Sequence, residues 1–222
     1  MATTKQPVER RADGLSKEHI VRTAIDILDA DGEGALTFRV LATRLATGPG
    51  AIYHYVSSKS DLMAAAAEEV IGRLLIVAID AEPREAIRSL ALGVFDAFTA
   101  HPWVGAQLAR EPWIPVVRVF EAIGGQIQAL GIPEAAQFNS ASAVLNYMLG
   151  AAGQNAANAR LVPPGTERSV FLEAVTDKWL QHPPEEYPFV HQVAGQLRDH
   201  DDREQFLAGI NLILAGAEAL RR

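Results

Sequence analysis

The sequence of 222 residues predicts an all-α protein, with a three-helix unit near its N-terminus and a larger helical domain after it. Three observations carry that expectation. Apolar residues recur at the spacing of one helical face in segment after segment, most cleanly at Ile87, Leu90, Ala91, Val94, Phe95 and Phe98. Alanine and leucine are abundant while runs of β-branched residues are scarce, which favours helix over strand. Proline and glycine punctuate the intervals between the periodic segments. With 49% apolar residues, the chain can build a sizeable core.

Residues 1–14 are polar and charged and read as a flexible arm, from which Lys5, Arg10 and Arg11 can reach a minor groove. They contain no apolar stretch of the kind a signal peptide needs. Ser16 is placed to cap a first helix, with Ile20, Ala24, Ile27 and Leu28 as its inward stripe. The stretch 31–34, Asp-Gly-Glu-Gly, ends it.

Thr37 then caps a second helix carrying Phe38, Leu41, Ala42 and Leu45 on one face. The pattern breaks at Ala46-Thr47-Gly48. It resumes at Pro49, which suits the first position of a helix because its missing N–H has no partner there. Ile52 and Val56 point inward, leaving Gly50, Ala51, Tyr53 and His54 facing out. Two short helices joined by a tight turn are the sequence form of a helix-turn-helix, whose second helix enters the DNA major groove. Small residues at Gly48, Gly50 and Ala51 let backbone approach base edges, and Tyr53 and His54 can donate to phosphate oxygens. Ser58-Lys59-Ser60-Asp61 reads as a capping box opening the next helix. Lys59 in that first turn opposes the helix dipole, a cost that a nearby phosphate would offset.

This stretch resembles the DNA-binding domain of the tetracycline-repressor (TetR) family. The resemblance rests on Ile52-Tyr53-His54-Tyr55-Val56, Ser57-Ser58, Lys59 and Leu62-Met63, and covers about residues 15–64. Two positions depart from the family pattern: Ala46 stands where the turn usually carries glycine, and Gly48 where serine or threonine often caps the recognition helix. The resemblance implies residues 15–62 as the DNA-binding domain and 63–222 as a ligand-binding and dimerisation domain. It also implies a homodimeric regulator, typically a repressor, released from a palindromic double-stranded DNA operator by a small molecule. The DNA-contacting residues are expected among Thr37, Arg39, Thr47, Gly48, Pro49, Gly50, Ala51, Tyr53, His54 and Lys59.

The helix from Lys59 is expected to run to about residue 81 along Leu62, Ala66, Val70, Leu74 and Val77, long enough to serve both domains. Pro83 opens the helix with the cleanest stripe, and His101-Pro102 ends it. A Trp- and Pro-bearing region follows with Trp103, Pro112, Trp113 and Pro115, and helix resumes over about 116–130 with Phe120, Ile123 and Ile127 inward. A long helix over 133–159 presents Phe138, Ala141, Leu145, Met148 and Ala152 on one face and small residues elsewhere. After a loop at 160–168 come a helix over 169–180, a proline-rich break from His182 to Pro188, and a last helix over about 202–220. That last helix is apolar most of the way round, so one side is expected to face a partner subunit. The resemblance pairs it with the 133–159 helix in an intersubunit four-helix bundle.

Net charge is −7, yet the chain is uneven: residues 1–60 carry +1 and residues 61–222 carry −8. Phosphate binding depends on local cations, and a modest +1 points to two copies binding together. It also leaves open a helical small-molecule-binding protein without DNA function. The absence of cysteine excludes disulfides, thiolate zinc sites and cysteine nucleophiles, and fits a cytoplasmic protein. The uncharged run over 135–159 holds too many amides and hydroxyls for a lipid-facing helix, so no membrane partner is expected. No phosphate-binding loop, nucleophile elbow or dinucleotide fingerprint occurs, and Glu68-Glu69 and Glu185-Glu186 point apart on a helix. His182 and His191 lack metal-ligand spacing, and His200 reads as part of a solvated charge cluster. We therefore expect no catalytic residues, no metal and no cofactor. A ligand pocket, for an apolar or aromatic molecule, is expected among Phe95, Phe98, His101, Trp103, Trp113, Phe120, Asn146, Tyr147, Gln154 and Trp179.

Overall fold

The computed structural model describes residues 15–75, 81–110, 113–159, 161–163 and 165–221, without the side chains at 109, 110, 113–115 and 159. The N-terminal arm, Val77 and the side chain of Trp113 thus lie outside the described residues. Among those described, every regular element is helical, and they form two compact units, one ending at Ala66 and the other beginning at Ala67.

The first unit holds α1 (Lys17–Asp31), α2 (Phe38–Arg44), α3 (Pro49–Tyr53) and the start of α4 (Lys59–Leu74). Its boundaries are set by local chemistry. The Ser16 hydroxyl accepts the His19 N–H at 3.1 Å, the Thr37 hydroxyl accepts that of Val40 at 3.2 Å, and the Ser58 hydroxyl accepts that of Asp61 at 3.0 Å. Gly32 ends α1 at φ +76°, a left-handed conformation that glycine adopts without strain. Ile20, Ile27, Leu41 and Ile52 are fully buried, so the unit is held by one small core drawn from α1, α2 and α3. Each such side chain contributes about 1.5–3 kcal/mol relative to an exposed one.

The second unit is built around α5 (Pro83–Ala100), whose six stripe residues are all buried. It packs against α6 (Pro102–Arg110), α7 (Trp113–Ala129), α8 (Glu134–Ala159) and α11 (Asp202–Ala219). Polar ties run along the α5–α11 seam: Arg84 to Glu218 at 2.8 Å, Arg203 to Asp96 at 3.2 Å, and Arg88 to the Asn211 amide oxygen. Helices α9 (Arg168–Leu180) and α10 (Pro188–Arg198) pack chiefly on each other as a hairpin.

Helix α4 is described over Lys59–Leu74, and most of its expected continuation, residues 76–80, lies outside the described residues. Several expectations are corrected. The Trp- and Pro-bearing region is helical as α6, because Pro102 occupies its first position, where a helix tolerates proline. Helix α7 starts at Trp113 and keeps Pro115 in its first turn, where the missing N–H has no intrahelical partner. The residues after the second proline-rich break also form a helix, α10, with Pro188 at its first position. Phe138, expected inward with Ala141 and Leu145, is 69% exposed and meets the half-buried Phe120 edge-on at 5.9 Å between ring centres. On α11, Phe206, Ile210, Leu214 and Ala217 are buried while Leu212 is 75% exposed. Among the described residues no helix is long and apolar enough to cross a membrane.

Candidate functional site

The turn between α2 and α3 is shaped by two crossed hydrogen bonds. The Thr47 N–H reaches back to the Ala42 carbonyl at 3.0 Å, and the Ala46 N–H to the Thr43 carbonyl at 3.2 Å. This is the Schellman arrangement, and it places Ala46 in the left-handed region at φ +50°. The chain then turns into α3, with Gly48 at its N-cap and Pro49 at its first position.

The ten candidate DNA-binding residues lie along this short stretch. Thr37, Arg39, Gly48, Pro49, Gly50, Tyr53 and His54 are exposed, and Thr47, Ala51 and Lys59 are half-buried. Tyr53 of α3 stacks on Phe38 of α2, with centroids 4.4 Å apart and planes 11° from parallel. That contact fixes the direction of the phenol while leaving the residue 54% exposed. A Cβ added at Gly48 or Gly50 would meet nothing within 4 Å, and neither has a left-handed φ, so the unit's own packing does not require glycine at either position. Arg39, Val40, Thr43 and Arg44 form a shallow concavity on α2, and Arg44 also pairs with Asp31 at 3.3 Å. Both partners of that pair are about half exposed, so it contributes little to stability.

Lys59 does not simply project into solvent. Its ammonium donates to the Glu33 carbonyl at 2.7 Å, tying the start of α4 to the loop after α1. The Tyr55 hydroxyl makes a second tie, donating to the Leu15 carbonyl at 2.7 Å across 40 positions of sequence. Sequence reading missed Tyr55 in this role, since no local spacing announces a bond of that range.

Among the described residues the candidate ligand residues are spread over several places, and the Trp113 side chain lies outside them. Phe95 and Phe98 are core residues of α5, and Phe95 meets Phe206 at 5.1 Å. Trp103 is buried, with the His101 ring edge-on to it at 6.1 Å. Tyr147 stacks on Phe206 at 5.6 Å, and its burial raises the phenol pKa above the ordinary value. Asn146 is exposed, so it is not the buried polar group of a closed pocket.

Gln154 and Trp179 do line a cavity, a cleft of about 590 Å³ bounded by α8, α9, α10 and α11. A second cleft of about 420 Å³, which Phe95 helps to line, shares Asn155, Arg168, His200 and Asp202 with it. Where the two meet, the Asp202 carboxylate takes Arg168 at 2.6 Å on one oxygen and His200 Nε2 at 2.9 Å on the other. His200, read from sequence as part of a solvated cluster, is thus a partly covered member of an ordered polar triad. Among the described residues there is no cluster of side chains suited to a metal ion.

An exposed two-helix reader on a small three-helix core, followed by a larger helical unit containing clefts, defines a helix-turn-helix regulator. Residues 80–221 match the family model described as "Tetracyclin repressor-like, C-terminal domain", and the chain belongs to the TetR family of transcriptional regulators. It is similar to the transcriptional regulator SCO7222, a TetR from Streptomyces coelicolor, with 49% identity, a TM-score of 0.86, and coverage of 94% of this chain and 100% of that one. An HTH-type transcriptional regulator of Saccharopolyspora erythraea is 26% identical over 209 residues, which span 92% of this chain and 87% of that protein. The S. coelicolor TetR family protein ActR in complex with actinorhodin shares the fold, with a TM-score of 0.75 at 22% identity over 93% of this chain and 98% of that one. The protein is accordingly a DNA-binding regulator and not an enzyme. Regulators of this family bind DNA operators, act as dimers and bind small-molecule ligands.

Proposed function

We propose that this protein is a homodimeric repressor that holds a palindromic operator and releases it when a small molecule occupies its C-terminal unit. The observation that carries the DNA-reading half is the exposed turn and α3, where Gly48 and Gly50 face open space that the unit itself leaves unfilled. Backbone at such positions can approach base edges more closely than a side chain would allow. In this reading Thr47, Gly50 and Ala51 lie nearest the bases, and Arg39 reads a base or a phosphate. Tyr53 and His54 donate to phosphates. Thr37 retains its hydroxyl hydrogen for the same use, because its oxygen already accepts from Val40. Lys59 spends one N–H on the Glu33 carbonyl and keeps two for phosphate.

A dimer must present its two recognition helices to successive major grooves, roughly 34–36 Å apart. The apolar side chains of Phe138 on α8 and Leu212 on α11, both exposed in the single chain, support those helices as the subunit interface. Helix α4 gives residues 59–66 to the first unit and 67–74 to the second. A ligand that prefers a state with a different spacing of the two readers would shift the population away from the DNA-competent one through this shared helix.

The test is selection from random duplexes at two salt concentrations, followed by sequencing. A palindrome with half-sites about one helical turn apart, bound more weakly at higher salt, is the expected result. No enriched sequence, with little binding even at low salt, would refute the DNA role and favour a helical ligand-binding protein. Within the same assay, Tyr53→Ala should weaken operator and unrelated DNA alike. A change confined to sequence preference would remove Tyr53 from the phosphate-binding set.

A further inference from the structure

The inward face of α6 carries a polar residue that the core does not satisfy. Trp103, Val104, Gln107 and Leu108 are buried, at the i, i+1, i+4, i+5 spacing of one side of a helix. Three of the four are apolar. Gln107 is 4% exposed, and its carboxamide has no hydrogen-bond partner among the described residues. Buried polar groups are nearly always paired, because an unmet donor or acceptor has given up water without replacement. A resident water does not account for the group. Internal water needs two to four polar partners, and the described inward face of α6 offers Gln107 alone.

The stretch of helix that presents this carboxamide is anchored. Pro102 sets the start of α6, and Gly105 lets its backbone lie against the buried Phe98 ring of α5. A Cβ at position 105 would come within 3.3 Å of Cδ2 and Cε2 of that ring and 3.9 Å of the Gly153 Cα on α8. Gln107 follows two residues later, so it is held on a rigid element, as a group that reads a ligand must be. Its chemistry narrows the partner. A carboxamide presents a C=O acceptor and an N–H donor side by side in one plane. The group that answers both at once is a second amide whose own N–H and C=O point the same way, as in a lactam or a primary carboxamide. Trp103 and Val104, one turn back on the same face, suit an apolar body beside that edge.

We propose that Gln107 is the residue that reads the regulatory small molecule, and that this molecule carries a lactam or carboxamide edge on an apolar body. The proposal rests on the reading that a small molecule occupies the C-terminal unit. The ligand then supplies the two hydrogen bonds that the folded chain leaves open.

The test has two arms, both on the full chain free of DNA. In the first, without ligand, Gln107→Leu removes the unmet donor and acceptor and should raise the melting midpoint. A carboxamide that already had a partner would give the opposite shift. The second is calorimetric titration with 2-quinolinone, a planar lactam, and with N-methyl-2-quinolinone, which lacks the donor. The lactam is expected to bind at least tenfold more tightly than its N-methyl analogue, and to lose at least tenfold in Gln107→Leu. Should that variant not fold, Gln107→Met, unbranched like glutamine, replaces it in both arms. A lowered midpoint, no lactam binding up to millimolar concentration, equal affinity for the two compounds, or unchanged affinity in a folded variant would overturn the assignment. Adding selected operator separates the two readings. Lactam binding that depends on Gln107 but leaves operator affinity unchanged supports the site while refuting ligand-driven release. Loss of operator affinity on adding the lactam, absent in the variant, supports both.

Discussion

Replacing Ala46 with glycine should stabilise the DNA-reading unit, and the magnitude can be worked from the turn. Ala46 is held at φ +50° by the two crossed hydrogen bonds that close α2. An L-residue with a Cβ in the left-handed region costs about 1–2 kcal/mol, which glycine avoids. Its side chain is exposed, so substitution forfeits no buried surface. Against the gain stands the greater freedom of glycine in the unfolded chain, about 0.4–1 kcal/mol. The balance is a stabilisation of about 0.5–1 kcal/mol, confined to the unit that ends at Ala66. The assay is native-state hydrogen exchange at the amides of α1 and α2, which reads the stability of that unit separately from the rest. Exchange through unfolding of the unit should slow about two- to fivefold. The companion variant Ala46→Val, β-branched and poorly suited to the left-handed region, should accelerate it. If Ala46→Gly speeds exchange, or Ala46→Val leaves it unchanged, the turn is not strained and the reasoning fails.

Four further outcomes are expected. Gly50→Ala should preserve or raise stability, by about 0.5–1 kcal/mol from helix propensity, while lowering operator affinity at least tenfold by band shift; undiminished affinity would remove Gly50 from the interface. Gly209→Ala should destabilise the C-terminal unit by about 1–3 kcal/mol in denaturant titration, because its methyl would overlap the Tyr147 ring and hydroxyl; a second change, Tyr147→Ala, should make the Gly209 substitution nearly neutral in the double-mutant cycle. Lys59→Met should lower stability of the first unit by about 1 kcal/mol through loss of the charge-assisted bond to Glu33, read by the same hydrogen exchange. Asp201, whose carboxylate caps α11, has its pKa lowered chiefly by the Glu204 backbone N–H. Its stabilisation is therefore present above the ordinary carboxylate pKa and lost as pH falls through the lower folded value. Asp201→Asn keeps a cap without the charge, so its melting deficit should be visible near neutral pH and vanish in acid.

The elements that sequence made legible are those with local signals. Ser16, Thr37 and Ser58 announce helix starts because the cap and the N–H it satisfies lie three residues apart. The α5 stripe was readable because one face of an 18-residue helix meets one core. Helix α10 and the helical character of the α6 region were not, because Pro102 and Pro188 look like breaks until one knows that each begins a helix. The cleft bounded by α8, α9, α10 and α11 was the least legible. Aromatic size signals core and pocket equally, so Phe98 and Trp103 drew attention while packing the interior. Arg168, His200 and Asp202 lie on different elements and become a triad only through the tertiary fold. The Tyr55–Leu15 tie was hidden for the same reason.

The meeting of Tyr147 with Gly209 also sets the mechanical character of the C-terminal unit. Where a ring rests on bare backbone, the two helices are indexed like a pin in a notch. Sliding α11 along α8 by one turn in either direction would bring the Cβ of Gln205 or Ile213, which share the face of Gly209, toward the place that it leaves empty for the ring. Translation is therefore a stepped motion that requires Tyr147 to leave its rotamer, whereas pivoting about the notch does not. Any rearrangement of these two helices should accordingly proceed as a rocking about Gly209, with the Tyr147 ring as its fulcrum and its most direct spectroscopic reporter.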